Sequence, residues 1–337
     1  MLNKALKVLQ INFFKYCDTI SKHTGINFNW SVSSSADFLK KLNRTEIWSM
    51  QVYDFTTLYT NFDLNEVKLA LCGMAELLFN QHHKYICVGY QKSFFAKKKY
   101  RGYTCLGIKD LEEAVTFILQ NTYITFGDII LKQVKGIPIG GSCSSTIADL
   151  TLCYKEFAFM KGLLREKKWG LAKLLSDNSR YVDDVGIMNY KNFEGIVSKI
   201  YPPSLKVERN GNNDKIIDYL DVHIELTEGG VVTTVYNKVD SFDFEVVTFT
   251  FPSSNIPLQI GYNIFMGQLL RYAVIISCKE NFVTKIKGLL IMLNRRGYEK
   301  NRLIKVAKRK FNERPFLLHK FGFAGVKQFI ESINDNE

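Results

Sequence analysis

The stretch RYVDDVGIMNY (residues 180–190) places two adjacent carboxylates, Asp183 and Asp184, inside an apolar run. An unpaired buried charge is costly, so a carboxylate pair in such a run needs something that compensates it. Two interpretations stay open at this point. Aspartate is a good turn former, so the pair can mark the tip of a β-hairpin. Alternatively, the pair can hold a metal ion through its carboxylate oxygens.

The composition describes a folded, basic protein. The chain has 337 residues, 46% of them hydrophobic and 13% aromatic, which is typical of a protein with a large core and two or three compact units. The net charge of +12 favours a polyanionic partner, and nucleic acid is the first candidate. The apolar stretches are too short to cross a bilayer, and the first residues do not form a signal peptide, so we expect no membrane partner.

The cysteines argue for a reducing environment. The seven cysteines form no CxxC pair, and their number is odd, which argues against a zinc ribbon and against a disulfide framework. We therefore expect an intracellular protein of the nucleus or the cytoplasm.

Two clusters concentrate the positive charge. The segment FFAKKKYRGY (residues 94–103) interleaves lysines with aromatic residues, and RRGYEKNRLIKVAKRK (residues 295–310) is dense in Lys and Arg. Each cluster can be a solvated basic face. Each can also contact phosphates while its aromatic residues stack on bases.

The order of the predicted elements indicates an α+β domain followed by a helical one. A strand over residues 47–55 leads into a helix capped by Asp63, and a second helix is predicted with Asp110 as its cap. A hairpin turns at Gly127 and Asp128, and a glycine-rich loop opens a helix over about residues 143–167. A later hairpin turns at Gly229 and Gly230, and helices follow residue 255.

A third carboxylate joins the opening pair. Asp54 ends a strand with apolar neighbours, as Asp183 does. Two such strands lying side by side would bring Asp54, Asp183 and Asp184 together. Like charges repel at that distance, and a divalent cation such as Mg²⁺ relieves the repulsion.

With these three aspartates in place, the chain resembles the reverse transcriptases. YDFTTLYTNF is similar to their first palm motif, QVKGIPIGGSCSSTIADL to the second and YVDD to the third. The finer resemblance is to the Penelope-like retroelements of the telomerase-related branch. It includes IIDYLDVHIEL, VVTTVYNKVDSFDF, IGYNIFMGQLLRYAVIISCKENF and LNRRGYEKNRL, and it covers residues 45–310.

The resemblance implies a polymerase right hand. A palm, which is a ferredoxin-like antiparallel sheet with helices, would span residues 46–250, with a fingers-like insertion over 81–135. An α-helical thumb would span residues 251–337. Residues 1–45, mixed and polar, would be a reduced remnant of truncated fingers. Neither the usual fingers before the first motif nor a GIY-YIG nuclease after the thumb fits the remaining length.

The resemblance also implies an activity, RNA-directed DNA polymerisation. Such an enzyme transfers dNTP onto a primer 3′-hydroxyl, on an RNA or DNA template, with two Mg²⁺ ions for which Mn²⁺ can substitute. Asp54 and Asp183 would ligate both ions, with Asp184 beside them and the carbonyl of Phe55 as a further ligand. A lysine that protonates pyrophosphate would be either Lys206 or Lys215.

Further binding residues follow from the same resemblance. Tyr59 would exclude a 2′-hydroxyl, and the glycine-rich loop would shape the nucleotide pocket. The residues expected to bind the nucleotide are Tyr59, Gly136, Pro138, Gly140, Ser142, Lys98 and Arg101. The residues expected to bind template or primer are Gln133, Tyr181, Tyr219, Leu220, Asp221, Arg295, Arg296, Lys300, Arg302 and Lys305.

Other functions stay open. The chain can be a palm-fold subunit that binds nucleic acid without synthesising DNA, or an RNA-dependent RNA polymerase. Tyr59 argues against the latter, because an RNA polymerase has to accept the 2′-hydroxyl. A second polypeptide that supplies the fingers is a further expected partner.

Overall fold

The computed structural model describes residues 1–244 and 246–321, and the chain divides into two compact units. The first unit comprises Met1–Ser33 and Thr45–Asp214, and the second comprises Ser34–Arg44 and the chain from Lys215 onward. Both combine helices with antiparallel strands, which confirms the predicted α+β class. Residues 322–337 of the predicted thumb lie outside the described part.

The first unit contains most of the elements. Its helices are α1 (Leu2–Thr24), α3 (Leu58–Asn61), α4 (Leu64–Leu78), α5 (Ile108–Gln120), α6 (Ser144–Arg165), α7 (Trp169–Leu175) and α8 (Glu194–Ile200). Its strands are β1 (Met50–Thr56), β2 (Tyr85–Val88), β3 (Ser93–Ala96), β4 (Thr104–Leu106), β5 (Tyr123–Phe126), β6 (Ile129–Lys132), β7 (Ser179–Tyr181), β8 (Asp184–Met188) and β9 (Lys206–Asn210).

A four-stranded antiparallel sheet with the order β7-β8-β1-β9 organises this unit. The first four residues of β1 are buried on both faces of the sheet. From Asp54 the pattern alternates, with Asp54 exposed, Phe55 buried and Thr56 exposed. The sheet therefore opens one face to solvent at the end of β1, where the sequence predicts a functional carboxylate.

Helix α4 forms as predicted. The Asp63 carboxylate caps it by accepting hydrogen bonds from the backbone N–H groups of Asn65 (2.8 Å) and Glu66 (3.1 Å). Its predicted apolar stripe is buried throughout: Val67, Leu71, Met74 and Leu78.

The predicted start of α5 is wrong. The helix begins at Ile108 with Gly107 as N-cap, so Asp110 is its third residue and not the cap. The Asp110 carboxylate reaches back and accepts a hydrogen bond from the Gly107 N–H at 2.8 Å. This is the reciprocal half of a capping box, which a pattern of acidic residues alone does not distinguish from an N-cap.

The segment over residues 1–45, which the sequence analysis describes as mixed and polar, contains a core helix; its interpretation as a fingers remnant stays a prediction. Residues 2–24 form the 23-residue helix α1, and it packs against α4 and α6 in the core of the first unit. Its buried face recurs at helical spacing and consists of Ala5, Leu6, Leu9, Phe13 and Cys17. Exposed lysines on the other face lower the overall apolar content of the segment. Composition alone therefore does not indicate a core helix, whereas the helical spacing of the buried residues does.

The predicted hairpin before the glycine-rich loop is confirmed as β5–β6, with its turn at Gly127 and Asp128. All eight strand residues are exposed, although six of them are large and apolar. Large apolar residues on both faces of an exposed two-stranded ribbon are unusual in a protein that acts alone.

The described part of the second unit contains a three-stranded meander, five α-helices and a 3-10 helix over Lys238–Ser241. The strands are β10 (Ile216–Tyr219), β11 (Val222–Thr227) and β12 (Gly230–Val235), and the helices are α2 (Ser35–Leu42), α9 (Leu258–Ile275), α10 (Lys279–Arg295), α11 (Lys300–Glu313) and α12 (Pro315–Phe321). The sequence predicts one hairpin here, and the structure adds a second tight turn at Leu220 and Asp221. Helix α9 packs on α2, α10, α11 and β12, which places the meander in this unit.

The division at Asp214 differs in position from the predicted end of the palm near residue 250, because the meander packs with the helices. Compact units need not coincide with functional domains, so the functional boundary stays a prediction. Within the described residues, no helix is both long and apolar enough to cross a membrane.

Candidate active site

The strands that carry the predicted carboxylates lie side by side. Strand β1 pairs with β8 in a register that sets Asp54 opposite Asp184. Directly opposite residues of an antiparallel pair point to the same face, with Cβ atoms about 4.5–5.5 Å apart. The preceding pair, Tyr53 and Val185, is buried on the other face. Asp54 and Asp184 therefore share the open face of the sheet.

Asp183 occupies the turn next to this pair. Tyr181 pairs with Asp184, so Val182 and Asp183 are the two turn residues of the β7–β8 hairpin. The opening pair of aspartates thus marks a hairpin tip, as the first interpretation predicts. Val182 has a φ of 54°, a left-handed value that β-branched residues rarely adopt and that costs about 1–3 kcal/mol.

Strand β9 adds two charged groups to the same face. Glu208 lies opposite Asp54 and Lys206 lies opposite Thr56. The Lys206 ammonium forms an ion pair with Glu208, whose carboxylate also accepts a hydrogen bond from the Thr56 hydroxyl at 3.0 Å. Lys206 is thus the predicted lysine candidate that shares a sheet with Asp54, while Lys215 begins the second unit.

The carboxylates fit a hard cation by donor type and by register. Carboxylate oxygens are the ligands that Mg²⁺ prefers, and Asp54 and Asp184 are near enough across the strand pair to reach one ion. In residues 1–244 and 246–321, however, no three His, Cys, Asp or Glu side chains are gathered closely enough to hold a metal. Three carboxylates repel one another, so gathering them requires the cation itself. The metal ligands stay a prediction.

Tyr59 lies next to the carboxylates. It belongs to the short helix α3, five residues after Asp54, and its side chain is half-buried. Burial raises the pKa of the Tyr59 phenol, and the negative charges of Asp183 and Asp149 raise it further. The phenol therefore stays neutral at physiological pH, within electrostatic reach of the turn aspartate.

The glycine-rich loop docks on the backbone around Tyr59. The Ile137 N–H donates to the Tyr59 carbonyl at 2.6 Å, and the Gly136 N–H donates to the Phe62 carbonyl at 3.0 Å. Gly136 has a φ of 81°, and a Cβ atom there would lie 2.5 Å from the Tyr59 carbonyl oxygen. Only glycine allows this close approach.

The other loop residues predicted to bind the nucleotide are less tightly packed than Gly136. Gly140 also has positive φ (88°), but a Cβ atom there would meet nothing within 4 Å. Pro138 is half-buried and Ser142 is exposed. The Gln133 side chain donates to the carbonyl of Lys135 at 2.9 Å, so it braces the loop in this structure.

The basic loop between β3 and β4 is exposed. Lys98 and Arg101 are both open to solvent, and the described interactions in this loop are local. The Lys99 ammonium lies 5.4 Å from the centre of the Tyr85 ring, and the Cys87 thiol lies 3.9 Å from the Lys98 carbonyl. No described contact joins Lys98 or Arg101 to the aspartates.

The sequence analysis missed a buried ionic network behind the turn. Arg180 is completely buried, and its guanidinium forms ion pairs with Glu156 and Asp149 of α6. The Tyr201 hydroxyl donates to Glu156 at 2.8 Å. Burial raises the pKa of Glu156, against the lowering effect of the Arg180 charge.

The Arg180 guanidinium stays charged in this network. Burial lowers its pKa, but the negative partners, led by Glu156, more than offset that effect and hold it well above its usual value. The sequence signal for the network was two acidic residues seven positions apart, Asp149 and Glu156, among mostly apolar residues of α6.

In the second unit, the predicted primer-binding turn is tied to its surroundings. Asp221 accepts a hydrogen bond from Arg271 Nε at 2.5 Å and another from the Ser35 hydroxyl. Tyr219 is buried against Phe38, with ring centres 4.7 Å apart. Their side chains thus support the turn in this structure, and Leu220, half-buried with a φ of 56°, is the residue at its tip.

The basic cluster over residues 295–310 is divided between two helices. Arg295 ends α10, Gly297 turns the chain with a φ of 94°, and Lys300 begins α11. Arg296 is buried and donates to the Phe249 carbonyl at 2.8 Å, so its guanidinium is engaged within its own unit, and its phosphate contact stays a prediction.

The other predicted cations in this region are accessible to different degrees. Arg295 and Lys305 are exposed, and Lys300 is partly exposed. The Arg302 guanidinium lies over the Tyr262 ring at 4.2 Å and donates to the Gln259 side chain at 3.0 Å. Arg302 is therefore already engaged within its own unit.

Comparison with solved structures finds a telomerase fold. Telomerase from Candida albicans in complex with the TWJ fragment of telomeric RNA matches with a TM-score of 0.67 at 14% identity, over 99% of this chain and 56% of that chain. Telomerase from Candida tropicalis with the TWJ fragment gives 0.49 at 14% identity, over 99% and 57%, and its apo form 0.48 at 12%, over 99% and 59%. No protein-family model and no curated protein matches the chain.

The Candida albicans match carries the comparison, and at 14% identity it shows the fold alone. It shows that the chain shares its fold with that telomerase chain, whereas the telomerase-related branch and the Penelope-like resemblance stay predictions. The chain spans little more than half of the telomerase chain that it matches.

Proposed function

We propose that the chain is a reverse transcriptase, which adds deoxynucleotides to a primer 3′-hydroxyl along an RNA or DNA template. The observation that supports this function best is the register of β1 and β8. It sets Asp54 opposite Asp184 on an open sheet face, with Asp183 in the adjoining turn. We assign the four-stranded sheet to the palm and helices α9–α12 to the thumb.

Asp54 and Asp183 would hold two Mg²⁺ ions, with Asp184 and the Phe55 carbonyl as further ligands. When bound, the ions supply charge stabilisation for the primer oxygen and the leaving pyrophosphate. The chain itself places Asp54 and Asp184 on two paired strands and Asp183 in the adjoining turn, and rigid elements position ligands more accurately than loops do. Lys206, on the same sheet, is our candidate for the proton donor to pyrophosphate.

The nucleotide pocket would be formed by Tyr59 and the glycine-rich loop. Two backbone hydrogen bonds tie that loop to the Tyr59 helix, so the base-side and sugar-side walls of the pocket would be one connected piece. Tyr59 would block a 2′-hydroxyl sterically with its half-buried ring, which lies within electrostatic reach of Asp183. This assignment favours deoxynucleotides and argues against an RNA polymerase.

Asp183→Asn tests the proposal. We expect it to abolish primer extension with Mg²⁺ or Mn²⁺ while primer-template binding stays the same or becomes slightly tighter, because a negative charge near the primer is lost. Asp18→Asn, an equivalent change on the exposed side of α1, is the control. Extension of RNA-templated and DNA-templated primers by all three proteins is measured, with dNTPs and with rNTPs. Undiminished synthesis by Asp183→Asn would refute the assignment.

A second candidate is a palm-fold subunit that binds nucleic acid without synthesis. The net charge of +12 supports it, because a strongly basic surface attracts nucleic acid whether or not the protein synthesises DNA. It predicts that the unaltered chain binds primer-template but extends it with neither ion, and that Asp183→Asn changes nothing.

We also propose a second polypeptide as partner. A triphosphate brings about four negative charges, and basic residues normally neutralise them in phosphoryl transfer. The exposed loop from Lys97 to Arg101 is the strongest basic cluster between the first two motifs, and its described contacts remain within its own sheet.

A further inference from the structure

The Arg180 side chain is divided between an anchor and the hairpin turn. Its Nε and Nη2 atoms bond the Glu156 carboxylate, the latter at 3.4 Å, and Nη2 also contacts Cys153 Sγ at 3.1 Å. Its Nη1 atom points the other way, donating to Asp149 Oδ1 at 2.9 Å and to the Val182 carbonyl at 3.1 Å. One planar cation thus connects helix α6 to the turn that contains Asp183.

The backbone of Arg180 is fixed as well. Its N–H donates to the Trp30 carbonyl at 2.8 Å, and its carbonyl accepts from the Val32 N–H at 2.9 Å. The side chain has no exposed surface, and Glu156 has almost none. A guanidinium held at both ends in this way has little freedom to move, because its donors form a rigid fork.

Among the hydrogen-bond partners of Arg180, the Val182 carbonyl indicates what the side chain does. Val182 is the residue with left-handed φ in the two-residue turn, and Asp183 follows it directly. A β-branched residue leaves that conformation unless its surroundings hold it there. The hydrogen bond from Nη1 is the side-chain contact that reaches this peptide from the buried side.

We propose that Arg180 is a positioning residue, which holds the Val182 peptide in its left-handed conformation and thereby fixes Asp183 for the reaction proposed above. It acts through the turn and touches neither substrate nor metal. Asp149 would share this role, because it orients Nη1 toward the turn. Glu156 and Tyr201 would anchor the other end of the guanidinium.

The proposal assigns different roles to the two ends of the Arg180 side chain, and variants at each end test it. Arg180→Lys keeps the charge, but a lysine ammonium cannot bond Glu156, Asp149 and the Val182 carbonyl with the same fixed geometry. Asp149→Asn perturbs the turn end of the guanidinium and leaves Glu156 in place, although Asp149 also accepts hydrogen bonds from Gln10 at 2.6 Å and from Ser31 at 3.4 Å. Tyr201→Phe is the matched control, because it removes one hydrogen bond from the anchor end at Glu156. Each protein is first checked for a cooperative thermal unfolding transition.

Two measurements are then made on the full chain. Amide hydrogen exchange over residues 179–186 reports the turn whether or not the protein polymerises. We expect Arg180→Lys and Asp149→Asn to speed that exchange by about tenfold or more relative to the unaltered chain, and Tyr201→Phe to leave it within about twofold. The second measurement is primer extension with Mg²⁺. We expect the two turn-end variants to lower kcat by about 10- to 100-fold, with the KM for dNTP and the Kd for primer-template within about twofold.

The outcomes distinguish this inference from the proposed function. If the unaltered chain does not extend a primer, the proposed function fails, and the exchange measurement alone decides the positioning role. Exchange that is equal in all four proteins, or faster only in Tyr201→Phe, would overturn it. In an active enzyme, turn-end variants that raise KM or Kd at unchanged kcat would also overturn it.

Discussion

At the scale of single residues, Gly136 and Gly140 form a natural comparison. Both have positive φ, but a Cβ atom at Gly136 would collide with the Tyr59 carbonyl and with the Cα and carbonyl of Thr60, whereas at Gly140 it would meet open space. Backbone atoms cannot move aside as a flexible side chain can. The close approach is therefore specific to Gly136.

We expect Gly136→Ala to lower the free energy of unfolding by about 3 kcal/mol, because overpacking adds to the left-handed strain. Gly140→Ala suffers the strain alone and should lose about 1 kcal/mol. Urea denaturation of the two variants measures the difference. Equal losses would mean that the loop moves away from Tyr59 at little cost, and then the loop and Tyr59 do not form one rigid wall.

Residues differ in how well the sequence revealed them. The side-by-side placement of Asp54, Asp183 and Asp184 was predicted because carboxylates in apolar strands conflict with their surroundings, whereas their role as metal ligands stays a prediction. Arg180 lies in the same stretch, but its buried ion pairs were not predicted, because Asp149 and Glu156 lie on α6, which is distant in sequence. Neither periodicity nor spacing encodes such a contact. Tyr219 and Arg296 were expected at a binding surface, and their burial depends on packing that local sequence does not specify.

At the scale of elements, strong local signals were reliable. The α4 cap, the β5–β6 turn and the long helix after the glycine-rich loop all form as predicted. Helix α1 was missed because its polar face outweighs its buried stripe in composition. The turn at Leu220 was missed because neither Leu220 nor Asp221 is glycine, and Leu220 adopts a φ of 56° without that signal.

Helix α11 is amphipathic in a way that suits a phosphate backbone. Leu303, Ile304 and Ala307 are buried, while Lys305 and Lys308 are exposed on the outer side. Lysines that contact phosphates release counterions, which makes affinity fall steeply with salt concentration. This property can be measured without any catalytic activity.

We expect Lys305→Gln with Lys308→Gln to flatten the plot of log affinity against log salt concentration by about two units, and equally so for different sequences. The control is Lys15→Gln with Lys173→Gln, the same change in charge at exposed positions of α1 and α7. Binding of a labelled primer-template is titrated at several salt concentrations. A slope that changes equally in both double variants would mean that only net charge matters and that α11 does not contact the backbone.

At the scale of the whole molecule, the net charge of +12 favours a large polyanion as partner. Composition predicts only the kind of partner, since a strongly basic surface attracts nucleic acid whatever its fold, and this partner stays a prediction. It could not predict how the triphosphate is neutralised, because that depends on which cations reach the aspartates.

The loop from Lys97 to Arg101 and a second polypeptide are the two sources of that positive charge. We favour the second polypeptide, because the described contacts of the loop remain within its own sheet.

The chain alone should then bind primer-template but extend it poorly, with a high apparent KM for dNTP. Lys98→Ala with Arg101→Ala should leave that KM unchanged, as should the control Lys92→Ala with Lys109→Ala at nearby exposed positions. Steady-state primer extension at varied dNTP concentration measures the KM of both double variants. Efficient extension by the chain alone, with a KM that rises about tenfold only in the loop variant, would instead assign the triphosphate contacts to the loop.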